Sequence, residues 1–240
     1  MMTGRIKMVR IPVLLMVQVL FLFISCSDSS DVDSVSFGYD FDSREGWAVG
    51  FSDYPVGQEE FYELSYEVTT LPSNIGSNIP ALKISGNNHS DDLFMYAKKR
   101  IVGLRSNTTY ELRFNLSFAT NESNESVGVG GSPGSGVYVK AGAYFSEPVA
   151  VEDNGYYLMN FDKGDQSEGG QDAVVLGTFG DSNPPEDTSY RMNNLNSDSN
   201  PLTVTTSDLG ILWIVVGTDS GFEATTTIYY YSLSVKIDRK

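Results

Sequence analysis

Tyr110, Leu112, Phe114, Leu116 and Phe118 fall at every second position, and Glu111, Arg113, Asn115 and Ser117 fill the gaps between them. An extended chain sends successive side chains to opposite faces, so this period of two specifies a strand with one apolar and one wet face. A strand of this kind buries its apolar face against a second layer, which places the chain in the two-sheet β-sandwich class. The polar segment 105–108 just before it reads as a tight turn. Leu104 and the Tyr110 ring are placed to close over that turn from either side.

The same alternation starts the domain, where Phe37, Tyr39 and Phe41 alternate with Gly38, Asp40 and Asp42. Further strands are predicted over 60–68, 81–85, 137–143, 156–160, 173–179, 202–206 and 226–237. Residues 93–102 have helix-forming composition, but Leu93, Met95, Ala97 and Ile101 share the period of two, which favours a strand. The run 211–216, I-L-W-I-V-V, is apolar on both faces. It reads as a central strand covered on both sides, with Trp213 in the core. Residues 121–136, 162–172 and 180–200 are polar or Gly-rich and read as loops. No segment sustains helical periodicity. The expected fold is an all-β, antiparallel sandwich of roughly ten strands.

Arg5, Lys7 and Arg10 form a basic head ahead of a fourteen-residue apolar run, 11–24. The run is shorter than the roughly twenty residues a membrane-crossing helix needs, and it suits a secretory leader. Cys26 is the one cysteine, so neither an internal disulfide nor a cysteine metal cluster is available. The domain must be held by its core. Residues 27–34, S-D-S-S-D-V-D-S, are acidic and aperiodic and read as a flexible tether. With no composition break or internal repeat beyond them, residues 35–240 read as one domain. The net charge is −15, and loss of segment 1–25, with three basic residues and no acids, would leave −18. Such a chain repels phosphate backbones, which excludes nucleic acid as a natural partner.

Catalytic patterns are thin. His89 is the one histidine, in S-G-N-N-H-S-D-D. G-D-S-N at 180–183 is superficially like an esterase block, but it comes late and the histidine early, the reverse of that class. Acids are plentiful, yet no E-x-D-x-x-E arrangement aims two of them into one cleft, as a sandwich glycosidase requires. Asp162, Asp165 and Asp172 crowd one loop, where Lys163 and Gly164 break a calcium-loop pattern. The expectation is a protein that is not an enzyme, with a glycosidase or lyase that works through two carboxylates as the minority alternative. What remains is aromatic. Sugars stack on Trp and Tyr faces while Asn and Asp serve their hydroxyls. Trp47, Tyr54, Tyr62 and Tyr144 are the candidate rings. Asn88, His89, Asp91 and Asp92 are their candidate polar companions. Core packing is the competing explanation for each ring.

Two resemblances sharpen this picture. Residues 41–47, F-D-S-R-E-G-W, resemble the start of carbohydrate-binding-module (galactose-binding-domain-like) jelly rolls, where F-[ED] is followed by G-W. Residues 103–118 resemble their central strand, and 228–237 sit where their closing strand would. The resemblance implies a jelly roll that binds glycan without catalysis. It also implies a structural calcium, with Asp42 as its matched acid. Tyr230, Tyr231 and Ser232 stand where the family carries its second pair of acids. Residues 23–26, F-I-S-C, resemble a bacterial lipobox, which implies acylation of Cys26 and insertion of the acyl chains into membrane lipid. An uncleaved anchor and ordinary secretion with a free cysteine are the alternatives. The acidic stretch after Cys26 resembles that of surface-exported lipoproteins in some gut-type bacteria, which implies an outer-membrane lipoprotein facing the exterior. A structural lipoprotein that binds a protein partner and no sugar is the competing function.

Overall fold

The computed structural model describes residues 33–43 and 45–240; the expected leader, Cys26 and the tether up to residue 32 lie outside them. The chain runs through β1 (Ser34–Asp40), β2 (Ala48–Ser52), β3 (Tyr54–Pro55), β4 (Ser65–Thr70), the one-turn helix α1 (Ser73–Gly76), β5 (Pro80–Asn87) and β6 (Leu93–Ile101). It continues through β7 (Thr109–Thr120), β8 (Val137–Tyr144), β9 (Ala150–Asp153), β10 (Tyr156–Met159) and β11 (Ala173–Thr178). It ends with β12 (Arg191–Asn196), β13 (Leu202–Thr205), β14 (Leu212–Ser220) and β15 (Thr225–Arg239).

One sheet has the order β12-β7-β15-β5-β4, with β13 also on β7 and β1 also on β15. The other has the order β11-β8-β14-β6-β2. The strands in them pair antiparallel. The orders β5-β15-β7-β12 and β6-β14-β8-β11 are the two four-stranded sheets of a jelly roll. The expected fold class is therefore the observed one. A small third sheet, β3-β10-β9, is added outside this frame.

The alternation in β7 works as its period dictates. Tyr110, Leu112, Phe114, Leu116 and Phe118 are all buried in one core cluster with Val137, Val139 and Ala141 of β8 and Ile214 and Val216 of β14. Each such side chain contributes about 1.5–3 kcal/mol when taken out of water. The Tyr110 hydroxyl accepts a hydrogen bond from the Arg105 backbone N–H at 3.0 Å, so the ring closes the preceding turn as its position implies.

β14 lies between β8 and β6 and is covered on both sides. Leu212, Ile214 and Val216 face the main core, while Val215 joins Phe94, Tyr96, Phe161 and Ala173 in a second cluster on the outer face. Trp213 departs from the expectation. It is half-buried and belongs to neither cluster, and the Lys98 ammonium lies 5.7 Å from its ring centroid.

Two other segments differ from their reading. Residues 60–63 are in turns, with Glu63 at φ 51°, so the second predicted strand begins only at Ser65. The segment 180–200 holds β12, paired along β7 with Leu195 opposite Leu116. Its less exposed positions are Arg191, Asn193 and Leu195, and one apolar residue in three writes no visible alternation.

Candidate functional site

β2 and β4 are the outermost strands on one side of their sheets. Between them lies a groove of about 210 Å³ whose lining includes Phe41, Asp42, Ser43, Trp47, Tyr66 and Leu82. The F-D-S-R-E-G-W segment builds it. The Phe41 N–H donates to the Tyr231 carbonyl at 3.1 Å, just beyond the β1–β15 ladder, and the Phe41 ring is buried 5.2 Å from that of Tyr230. Gly46 takes φ 67°, a left-handed conformation that favours glycine. The chain then returns to lay Trp47 on Phe41, with centroids 4.3 Å apart and planes at 20°. The indole N–H donates to the Asp40 carbonyl at 3.1 Å. Lys99 stands 5.8 Å from the Trp47 ring centroid and pairs with Glu45 at 3.2 Å. Across the groove Tyr66 is 60 % exposed. Two rings, a carboxylate and a hydroxyl in one groove match the chemistry of a neutral polyhydroxyl ligand, whose C–H faces stack and whose hydroxyls donate.

Asp42 is buried in this wall. Among the described residues, no set of three acids gathers around it. A calcium ion takes six to eight oxygens, usually including several carboxylates. Asp42 is the one carboxylate lining this groove.

Six of the other sequence candidates gather at the far end of β2 from Trp47. Tyr54 and Tyr62 are 5 % and 2 % exposed, with centroids 5.5 Å apart, so they pack the core and present no free face. His89 touches Tyr62 edge-on and stacks at 4.1 Å on Phe61, an exposed ring. The His89 Nε2 lies 3.1 Å from the Phe61 carbonyl, which accepts its hydrogen bond. The Asn88 amide is buried and donates to the Ser220 carbonyl at 2.8 Å. Asp91 is exposed at φ 60°, and its carbonyl accepts from the Gln166 side chain at 2.7 Å. Tyr144 stands apart from this group, half-buried against Phe145 and Phe161.

Asp92 leads to a feature that sequence reading missed. On the outer face of the second sheet, five ionisable groups meet beneath the loop 162–172. Asp219 of β14 is fully buried and pairs with Lys140 of β8 at 2.7 Å and with Lys163 of the loop at 2.9 Å. Lys163 also pairs with Asp53 at 3.0 Å. One carboxylate oxygen each from Asp53, Asp92 and Asp219 lies within 4.8 Å of the others. A cleft of about 330 Å³ opens over Asp53, Asp92 and Lys163. Burial first, then repulsion from Asp53, push the Asp92 carboxyl up to about 7, with Lys163 opposing. Burial also works against the Lys163 charge, but Asp219 and Asp53 outweigh it and hold the ammonium above its usual range. The loop that carries Lys163 is built by its own acids. The Asp162 carboxylate accepts from the Gly164 and Gln171 N–H groups at 3.0 and 2.9 Å, and that of Asp172 accepts from the Asp162 N–H at 2.9 Å.

No protein-family model and no curated protein matches the chain. Solved structures do. A candidate sugar-binding protein from Bacteroides thetaiotaomicron VPI-5482 is similar at TM-score 0.39 and 12 % identity, over 81 % of this chain and 87 % of that one. TmCBM61, solved in complex with β-1,4-galactotriose, is similar at TM-score 0.35 and 7 % identity, over 84 % and 99 %. TmCBM27, a carbohydrate-binding module that recognises mannan, is similar at TM-score 0.34 and 12 % identity, over 86 % and 99 %.

Proposed function

We propose that the protein is a non-catalytic, lipid-anchored module of the bacterial cell surface that binds carbohydrate in the groove between β2 and β4. The observation that carries this reading is the meeting of the Trp47 and Tyr66 rings in one groove with Asp42 and Ser43. Tyr54 and Tyr62 serve the core, and the binding role passes to Tyr66. Binding of the full chain to immobilised neutral glycans tests it. Trp47→Ala and Tyr66→Ala are each expected to lower affinity about tenfold, the loss of one stacked ring, and Phe145→Ala to leave it unchanged. A blank across host, plant and microbial glycans sinks the reading, as does binding that neither ring substitution alters.

The anchor rests on the basic head, the short apolar run and the F-I-S-C segment ending at Cys26. Acylation there would place the domain on the outer membrane, facing the exterior. Labelled palmitate is expected to enter the wild-type protein and not Cys26→Ala, and protease added to whole cells is expected to digest the domain. Equal labelling of both proteins removes the anchor.

The β9–β10 hairpin favours a second reading, a surface for a protein partner. Val151 pairs with Leu158 in register, and both are exposed, as are Tyr156 and Phe145. Leu158→Lys separates the two, because it spoils this face while leaving the groove intact.

A further inference from the structure

Asp53, Asp92 and Asp219 bring together the oxygens a divalent ion would take, and a lysine stands in their midst. Asp53, Asp92 and Asp219 are the one group of three acids, among the described residues, whose carboxylate oxygens converge. Their mutual spacing, up to 4.8 Å, is what a single ion at roughly 2.4 Å from each oxygen would hold. The Lys163 ammonium sits among them instead. Its three N–H donors go to Asp53 Oδ2 at 3.0 Å, Asp219 Oδ2 at 2.9 Å and the Gly164 carbonyl at 3.3 Å. Lys140 is likewise spent on Asp219 Oδ2 at 2.7 Å and the Lys163 and Glu168 carbonyls at 3.1 and 3.0 Å.

Acceptors are left over. Asp92 Oδ1 and Asp219 Oδ1 are buried with no hydrogen-bond donor, and Asp219 is 0 % exposed. An ammonium has only three donors and cannot serve them. A calcium ion, taking six to eight oxygens, can. Charge points the same way. Once all three carboxylates are ionised, they exceed the two ammonium groups by one negative charge. A divalent ion in place of the Lys163 ammonium would bring the cluster to neutrality.

We propose that Lys163 is a tethered cation occupying a divalent-metal donor set made by Asp53, Asp92 and Asp219. The ammonium closes this site in the wild-type protein and fastens the loop 162–172 to the outer face of the sheet. Removing it opens a calcium site.

Thermal unfolding and calcium calorimetry on the full chain test this. The wild-type midpoint is expected to move by no more than about 1 °C with EDTA or millimolar calcium, because no site is open. Without metal, Lys163→Ala is expected to lose roughly 10 °C, the consequence of unpairing buried carboxylates. At a calcium concentration a hundred times the measured Kd it should regain at least about 5 °C. Calorimetry should show one site, lost when Asp219→Asn is added. Calcium binding by the wild-type protein overturns the proposal, and so does a Lys163→Ala protein that calcium leaves unchanged. If Lys163→Ala does not fold without metal, refolding in calcium but not in EDTA supports the site, and failure in both overturns it. Glycan binding by the groove is a separate measurement, and neither result decides the other.

Discussion

Asp181 and Arg191 form a contact whose worth depends on pH. The Asp181 carboxylate accepts from the Arg191 Nη2 at 3.1 Å and from the Asn183 N–H at 2.9 Å. Burial works against its charge, but Arg191 and Asn183 outweigh burial and hold the carboxyl below its usual range. A carboxyl with a lowered folded-state pKa adds stability above its unfolded value, about 3.9, and loses it as pH falls through the folded value. Arg191→Ala is therefore expected to cost about 1 kcal/mol at pH 7. In urea unfolding, that gap should narrow below about pH 4. A gap of constant size would assign the cost to the bonds that Arg191 donates to the Asp187 and Ser189 carbonyls. This pairing also accounts for the G-D-S-N block: its acid is committed to an arginine, while the one histidine is stacked on Phe61. At this scale, what could be read from sequence depended on local context. Trp47 and Asp42 stood in a motif and were visible. Tyr66 lay in a segment read as the interior of a strand, and its exposure comes from the open edge beside β4. Lys163 looked like the residue that spoils a calcium loop, because the acids that bury it lie at positions 53, 92 and 219.

Elements with a strong period and dry partners were the legible ones. β7 has five apolar residues in alternation, and β14 has an unbroken apolar run, so each declares its burial without reference to its neighbours. β12 does not. Asn194 on that strand donates to Asn115 and Ser117 of β7 at 2.7 and 2.9 Å, a polar seam that leaves no hydrophobic signature. The loop 162–172 reads as a solvated connection because it is polar, and the buried Lys163 reveals it as a packed element. Glycines test how tightly it is packed. Gly164 and Gly155 both have left-handed backbones, at φ 71° and 86°. A Cβ on Gly164 would meet the Glu168 carbonyl at 2.3 Å, whereas one on Gly155 would meet nothing within 4 Å. Gly155→Ala is expected to cost about 1 kcal/mol, from the backbone alone. Gly164→Ala should cost at least roughly 2 kcal/mol more, since it must displace the loop that holds Lys163. Chemical denaturation of the two variants side by side measures the difference. Equal losses would mean that the loop yields freely and does not fasten Lys163.

The whole molecule carries a net charge of −15, and its sandwich frame, β12 apart, follows from strands whose apolar pattern is visible one at a time. The small third sheet was not foreseeable as a unit. β10 falls within the predicted strand 156–160, but its partners β3 and β9 are two and four residues long, too short to write a period. The charge bears on which glycans such a frame can hold. Asp42 and Glu67 lie in or beside the groove, with Lys83 paired to Glu67 at 3.1 Å. A neutral oligosaccharide meets little of this field, because stacking and hydroxyl bonds act at contact distance. A uronate-containing chain approaches against the charge of the whole protein, and salt screens that repulsion over a Debye length of about 10 Å at 0.1 M. Affinity for neutral glycans is therefore expected to stay flat between about 0.05 and 0.5 M salt. Affinity for uronate glycans should be weaker at low salt and rise with it. Titrating both classes across that range checks the point. Uronate binding that weakens as salt is added would mean that a basic group leads recognition. Lys83 or Lys99 would then replace the Trp47 and Tyr66 rings as the centre of the site.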